Sequence, residues 1–138
     1  PLVSIDLVVK NAQGEYLLGL RTNRPAQNFW FVPGGRIQKG ESLAVAFKRL
    51  TKQELGKELS IEQAKLLGPF DHFYDDCVFG GETSTHYIAI AYELIINQPI
   101  SPPNQQHSEY YWASINEIIS RNDIHENVKA YFKKDTKH

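Results

Sequence analysis

The stretch from Gly34 to Gly56 reads GGRIQKGESLAVAFKRLTKQELG, and from Ser42 to Leu55 it contains neither glycine nor proline. A helix is therefore expected over Ser42 to Leu55, with Ser42 or Glu41 able to cap its start and Gly56 placed as a C-terminal stop. At 100° per residue, Leu43, Phe47 and Leu50 fall on one stripe that faces a core, and Glu54 falls in the middle of the same stripe. A buried carboxylate without a partner is costly, so this one calls for a cation or a metal beside it. The plain alternative is a glutamate at a helix end that snorkels to water or pairs with a nearby lysine.

Toward the N-terminus, Phe29 to Val32 reads as a short strand that Pro33-Gly34-Gly35 stops in a sharp turn. Earlier still, Val3, Ile5, Leu7 and Val9 alternate with Ser4, Asp6 and Val8, then Asn11-Ala12-Gln13-Gly14 leads into Glu15 to Leu20, a strand, turn and strand. Asp6 sits in this otherwise apolar strand, where pattern alone assigns it to a solvated face. Toward the C-terminus, Leu66 to Tyr74 and His86 to Ile96 read as strands around a loop from Asp75 to Thr85. Tyr110 to Ala113 reads as a short strand and Ser114 to Ile119 as a short helix. A terminal amphipathic helix is expected over Ile124 to Lys134, with Ile124, Val128 and Tyr131 or Phe132 inward. The expected class is α/β (α+β), a mixed sheet between helices in an α/β/α sandwich, with a single domain over 1–138.

Composition narrows the partners. The chain has 138 residues, 41% hydrophobic and 22% charged, which fits one globular core. With 15 Lys+Arg against 16 Asp+Glu, the formal charge is -1, so nucleic acid is not an expected partner, and without a stretch of ~20 apolar residues neither is a membrane. Cys77 is the single cysteine and excludes an internal disulfide, in keeping with a reducing, cytoplasmic setting. Asp75, Asp76 and Cys77 read as a solvated loop, because a lone cysteine cannot complete a zinc site. There is no methionine, and the chain opens in the apolar run Pro1 to Val9, so the natural N-terminus is expected to be missing.

Gly35 and Glu41 are separated by five residues and Glu41 and Arg49 by seven, with Glu54 and Gly56 following at fixed offsets. This pattern resembles the Nudix box, whose loop and helix bind divalent metal against a nucleoside-diphosphate-linked substrate. The family usually has glutamates where this chain has Leu50 and Gln53. The segments Arg21 to Gln27, Trp30 to Arg36, Asp71 to Asp76, Thr85 to Tyr87 and Gln106-His107 further resemble the GDP-mannose mannosyl hydrolases, a Nudix subgroup lacking the same two glutamates.

The resemblance implies hydrolysis of GDP-mannose, or GDP-glucose, at the sugar C1 carbon with inversion, giving GDP and free hexose. It implies one Mg²⁺ per site, with Mn²⁺ able to substitute, held by Glu54, Gln106 and the Gly34 carbonyl, an all-oxygen set. His107 is then the general base, Arg21 and Arg36 grip the diphosphate, and Asp6 lies near the sugar and leaving group. His72 and Tyr87 surround the substrate, while Glu41 and Arg49 support the site from behind. A homodimer is implied as well. Read without the resemblance, His107 is a loop histidine, the arginines are ordinary surface residues, and His72 and Tyr87 are half-buried sheet residues. Two other functions stay open here: a conventional Nudix pyrophosphohydrolase attacking phosphorus, and an inactive nucleotide-binding protein.

Overall fold

The computed structural model describes residues 1–23, 25–75, 84–100, 102 and 107–133, with only the backbone described at 107 and 108. Strand β1 (Leu2–Lys10) is the hub. Its alternation sends Ile5, Leu7 and Val9 into a core with Leu17 and helix α1 (Leu43–Leu55), and Val8 into a second core with Leu18, Phe31, Ile118 and Val128. Both faces of β1 are thus covered, which is why Asp6 is only 5% exposed and not on the solvated face that its pattern predicts.

Strands β1 and β2 (Tyr16–Arg21) join through a turn in which the Asn11 side chain accepts the N–H groups of Gln13 and Glu15. They pair antiparallel at Lys10 and Tyr16, and then the ladder changes partners. Strand β3 (Trp30–Phe31) pairs with β2 at Gly19 and Leu20, while β4 (Gly34–Arg36) pairs with β1 at Ser4, Ile5 and Asp6. The segment 30–36 is thus a wedge between diverging strands. The expectation of a plain turn at Pro33-Gly34-Gly35 is corrected here. Proline ends pairing with β2, but its carbonyl still accepts from Leu7 N–H, and Gly34 lets the backbone press against β1.

On its other side β1 pairs in parallel with β6 (Thr85–Ile95), which pairs antiparallel with edge strand β5 (Lys65–Tyr74). Strand β7 (His107–Ala113) lies along β2. The sheet is mixed, as anticipated, with order β3-β2-β1-β6-β5 and with β4 and β7 on the flanks of β1 and β2.

Helix α1 is capped by Ser42, whose Oγ accepts from Val45 N–H, and ends at Gly56 in the left-handed region. Its buried rows are Ala46-Leu50-Glu54 and Phe47-Thr51-Leu55. Leu43, expected inward, is 42% exposed because it stands one turn before the Phe47 row. Helix α2 (Ile115–Ser120) starts at a capping box formed by Ser114 and Glu117. The long terminal helix that periodicity predicts is shorter: α3 (Glu126–Lys129), capped by His125, tightens at once into a 3-10 turn over Ala130–Phe132. Ile124 lies before the helix, in a bridge to Trp30, though it and Val128 are buried as expected.

A Cβ placed on Gly34 would lie 2.3 Å from the carbonyl oxygen of Ile5. Because that obstacle is backbone in the sheet centre, Gly34→Ala is predicted to lower stability by about 1–3 kcal/mol in urea denaturation. An unchanged midpoint would mean that β4 does not press on β1.

Candidate active site

Where β1 and β2 diverge, a cleft of about 260 Å³ opens, lined by Ser4, Asp6, Arg21, Asn23, Pro25, Phe31, Val32, Gly34, Gly35, Arg36, His72, Tyr74 and Tyr87. Of the residues singled out from sequence, Asp6, Arg21, Gly34, Arg36, His72 and Tyr87 therefore come together on one cavity. Arg21 ends β2, and its Nε donates to the Pro25 carbonyl at 2.8 Å, so the loop after β2 aims the guanidinium. Arg36, on β4, is exposed and also lines the cleft.

Glu54 lies behind the cleft wall, 3% exposed on α1, and Gly34 N–H donates to its Oε1 at 3.4 Å. The β1–β4 ladder explains this contact. Gly34 faces Asp6 in register, between the hydrogen bonds made by Pro33 and Ile37, so its own N–H and C=O both turn away from β1. Burial pushes the Glu54 carboxyl up, partly opposed by the Gly34 N–H and the Arg21 charge. A desolvated carboxylate beside an outward-turned carbonyl is a hard-oxygen donor pair that suits a cation such as Mg²⁺. Among the described residues no three His, Cys, Asp or Glu side chains form a metal cluster, so any metal relies on mixed oxygen donors.

The two departures from the Nudix box have different surroundings. Leu50 is 2% exposed and packs under Gly35, where a Cβ would meet its Cδ2 at 2.6 Å. Gln53 is on the surface and accepts from Arg49 Nη1 at 3.1 Å. Glu41 and Arg49 form a fork, with Nε to Oε2 at 2.6 Å and Nη2 to Oε1 at 2.8 Å. Arg49 Nη2 also reaches the Arg36 carbonyl, and Glu41 accepts Gln38 N–H. This network ties the loop between β4 and α1 to the helix, away from the cleft, and holds the Glu41 carboxyl down at about 2, chiefly through the Arg49 hydrogen bond.

His107 begins β7 opposite Arg21, which brings its backbone to the cleft mouth. Its side chain, and Gln106 altogether, lie outside the described residues, as do residues 76–83 with Asp76 and Cys77.

Sequence reasoning missed Tyr131. Its hydroxyl donates to Asp6 Oδ2 at 2.5 Å and lies 3.1 Å from His72 Nε2. Periodicity marks Tyr131 as inward, but no local signal reports a bond across 125 residues. Around this trio burial dominates. It raises the Asp6 carboxyl to about 7, against the Tyr131 bond and the Arg21 charge. It lowers the His72 imidazole to about 4, with His125 acting in the same sense and Asp71 opposing. His72 is therefore neutral at physiological pH.

The NUDIX domain family matches residues 1–135. The chain belongs to that family. Its class is accordingly that of the Nudix hydrolases. It is 44% identical over 109 residues to the low-salt glycan biosynthesis protein Agl8 of Haloferax volcanii, covering 79% of this chain and 68% of the relative. Among solved structures, the MutT NUDIX hydrolase of Burkholderia pseudomallei superposes with a TM-score of 0.75 at 22% identity, covering 99% of this chain and 98% of that one. The NUDIX domain of Shewanella oneidensis NrtR, complexed with ADP ribose, superposes with a TM-score of 0.69 at 18% identity, covering 95% and 85%. These two show the shared fold. Among the described residues no helix is long and apolar enough to cross a membrane.

Asp6 binds its proton more tightly folded, at about 7, than the usual 3.8. Its charge therefore costs stability fully above pH 7, and the cost fades as pH falls to about 4. Asp6→Asn should consequently raise Tm at pH 7.5, with the gain shrinking toward pH 4. A gain that grows at low pH, or a loss at pH 7.5, would contradict the buried placement.

Proposed function

We propose that this protein hydrolyses GDP-mannose, with GDP-glucose a second candidate, at the sugar C1 carbon with inversion, in the presence of Mg²⁺. The observation that carries this reading is the helix face of α1. Leu50 is closed into the core under Gly35 and Gln53 is engaged by Arg49, so Glu54 is the carboxylate that this face offers beside Gly34. A helix with so little negative charge suits a single cation better than the several that phosphorus chemistry on this scaffold would recruit. The Agl8 relative, whose name places it in glycan biosynthesis, supports a sugar-linked substrate.

Glu54 and the Gly34 carbonyl would hold the ion together with the Gln106 side-chain oxygen. When bound, Mg²⁺ neutralises charge that develops on the departing diphosphate. Arg21 and Arg36, both lining the cleft, grip the phosphate oxygens and keep the leaving group fixed. His107 accepts the proton of a water molecule, whose oxygen bonds to C1 as the bond from C1 to the diphosphate oxygen breaks. The electron pair of that bond leaves with GDP. Asp6 and His72 line the sugar side, and Tyr87, beside His72 in the β5–β6 register, offers a phenol donor. Phe31 and Val32 supply the apolar wall that limits water. A homodimer and a cytoplasmic setting are parts of the same proposal.

Reaction in ¹⁸O water tests the bond that breaks. GDP-mannose and GDP-glucose should each give labelled hexose and unlabelled GDP, with the inverted anomer seen first by NMR. Label in GDP or GMP, or sugar 1-phosphate as a product, would establish attack at phosphorus and overturn the reading.

A further inference from the structure

We propose that Tyr131 is a positioning residue of this site: through one hydroxyl it fixes which oxygen of Asp6 faces the cleft and which nitrogen of His72 carries the proton. The proposal rests on the reading of the cleft given above. Tyr131 is absent from the cleft lining, so it can act on substrate only through these two neighbours.

A phenol has one proton to give, and here two buried groups lie within hydrogen-bond reach of it. Above about pH 7, where Asp6 is ionised and can only accept, the proton goes to Asp6 Oδ2 at 2.5 Å. His72 Nε2, at 3.1 Å from the same oxygen, must then carry a hydrogen of its own, since two facing lone pairs would leave buried polar atoms unsatisfied. The other ring nitrogen gives no competing answer. His72 Nδ1 is 3.9 Å from Asp6 Oδ2, beyond hydrogen-bond range. A neutral imidazole with Nε2–H leaves Nδ1 as an acceptor on a side chain that lines the cleft, a group able to receive a hydroxyl of the proposed sugar substrate. Asp6 is fixed in the same stroke. Its Oδ2 is held from below by Tyr131, and Oδ1 is left on the Gly34 side, 2.9 Å from where a Cβ of that glycine would stand.

The phenol is itself held in place. Its ring meets the Phe70 edge at 4.8 Å, and the next residue, Phe132, packs edge-on against Tyr16 at 4.7 Å. The 3-10 turn over Ala130–Phe132 thereby becomes part of the active site, although it carries no group that touches substrate.

The test combines Tyr131→Phe with Phe70→Leu. Long-range ¹H–¹⁵N correlation on the wild type at pH 8.5, where Asp6 is ionised, without substrate, should show His72 with a protonated Nε2 and an unprotonated Nδ1. In Tyr131→Phe that pattern should be lost, and kcat for GDP-mannose should fall about 10- to 100-fold with KM changed less than about threefold. Phe70→Leu, which loosens the ring but keeps the hydroxyl, should retain the tautomer and lose less kcat than Tyr131→Phe. An Nδ1–H tautomer in the wild type overturns the proposal, and so does a Tyr131→Phe enzyme with unchanged kcat and spectrum. The wild-type spectrum needs neither turnover nor the variant. A wild type that does not split GDP-mannose would therefore defeat the functional reading while the tautomer still decides on Tyr131.

Discussion

Gly34 stands against β1 so closely that any side chain would overlap the Ile5 carbonyl, and the site is built around that contact. Because the contact holds β4 on β1 while β3 stays on β2, the two long strands separate after Lys10 and Tyr16, leaving a cleft where a continuous ladder would have closed it. The same register turns Gly34 N–H toward Glu54, so one glycine joins the sheet, the cleft wall and the helix carboxylate. The Glu41–Arg49 fork supports the arrangement from outside by tying the loop after β4 to α1.

Among the described residues, Asp6, Glu54 and His72 are buried around this opening. Each is displaced by desolvation toward its neutral form, so the fold bears a cost that packing alone would avoid. Two cores, one under α1 and one under the closing helices, offset it. Arg21 carries a positive charge that both carboxylates feel, which couples the helix side of the cleft electrostatically to Asp6. In the proposed reaction, a strongly polarising cleft suits the expulsion of a charged leaving group.

Much of this was legible in the sequence. The helix from Ser42 to Gly56 declared itself by its cap and its stop, and Glu54 declared its burial by its place on the apolar stripe. Local rules read the chain a few residues at a time, and they failed where the outcome depends on distant partners. Proline and glycines at 33–35 look like a turn until β1 is placed beside them. Asp6 looks solvated until α3 covers its face, and Tyr131 looks like core until its hydroxyl finds Asp6. Periodicity overextends the terminal helix for the same reason: its last turn tightens to dock on Tyr16 and Phe70, a demand made by the sheet.

In the proposed function, α1 and Gly34 together furnish a site for a single divalent cation. Electron paramagnetic resonance titration with Mn²⁺ in the presence of GDP counts the ions directly. One tightly bound Mn²⁺ per chain is expected, lost in Glu54→Gln; two per chain, or undiminished binding in that variant, would rule the single-cation site out.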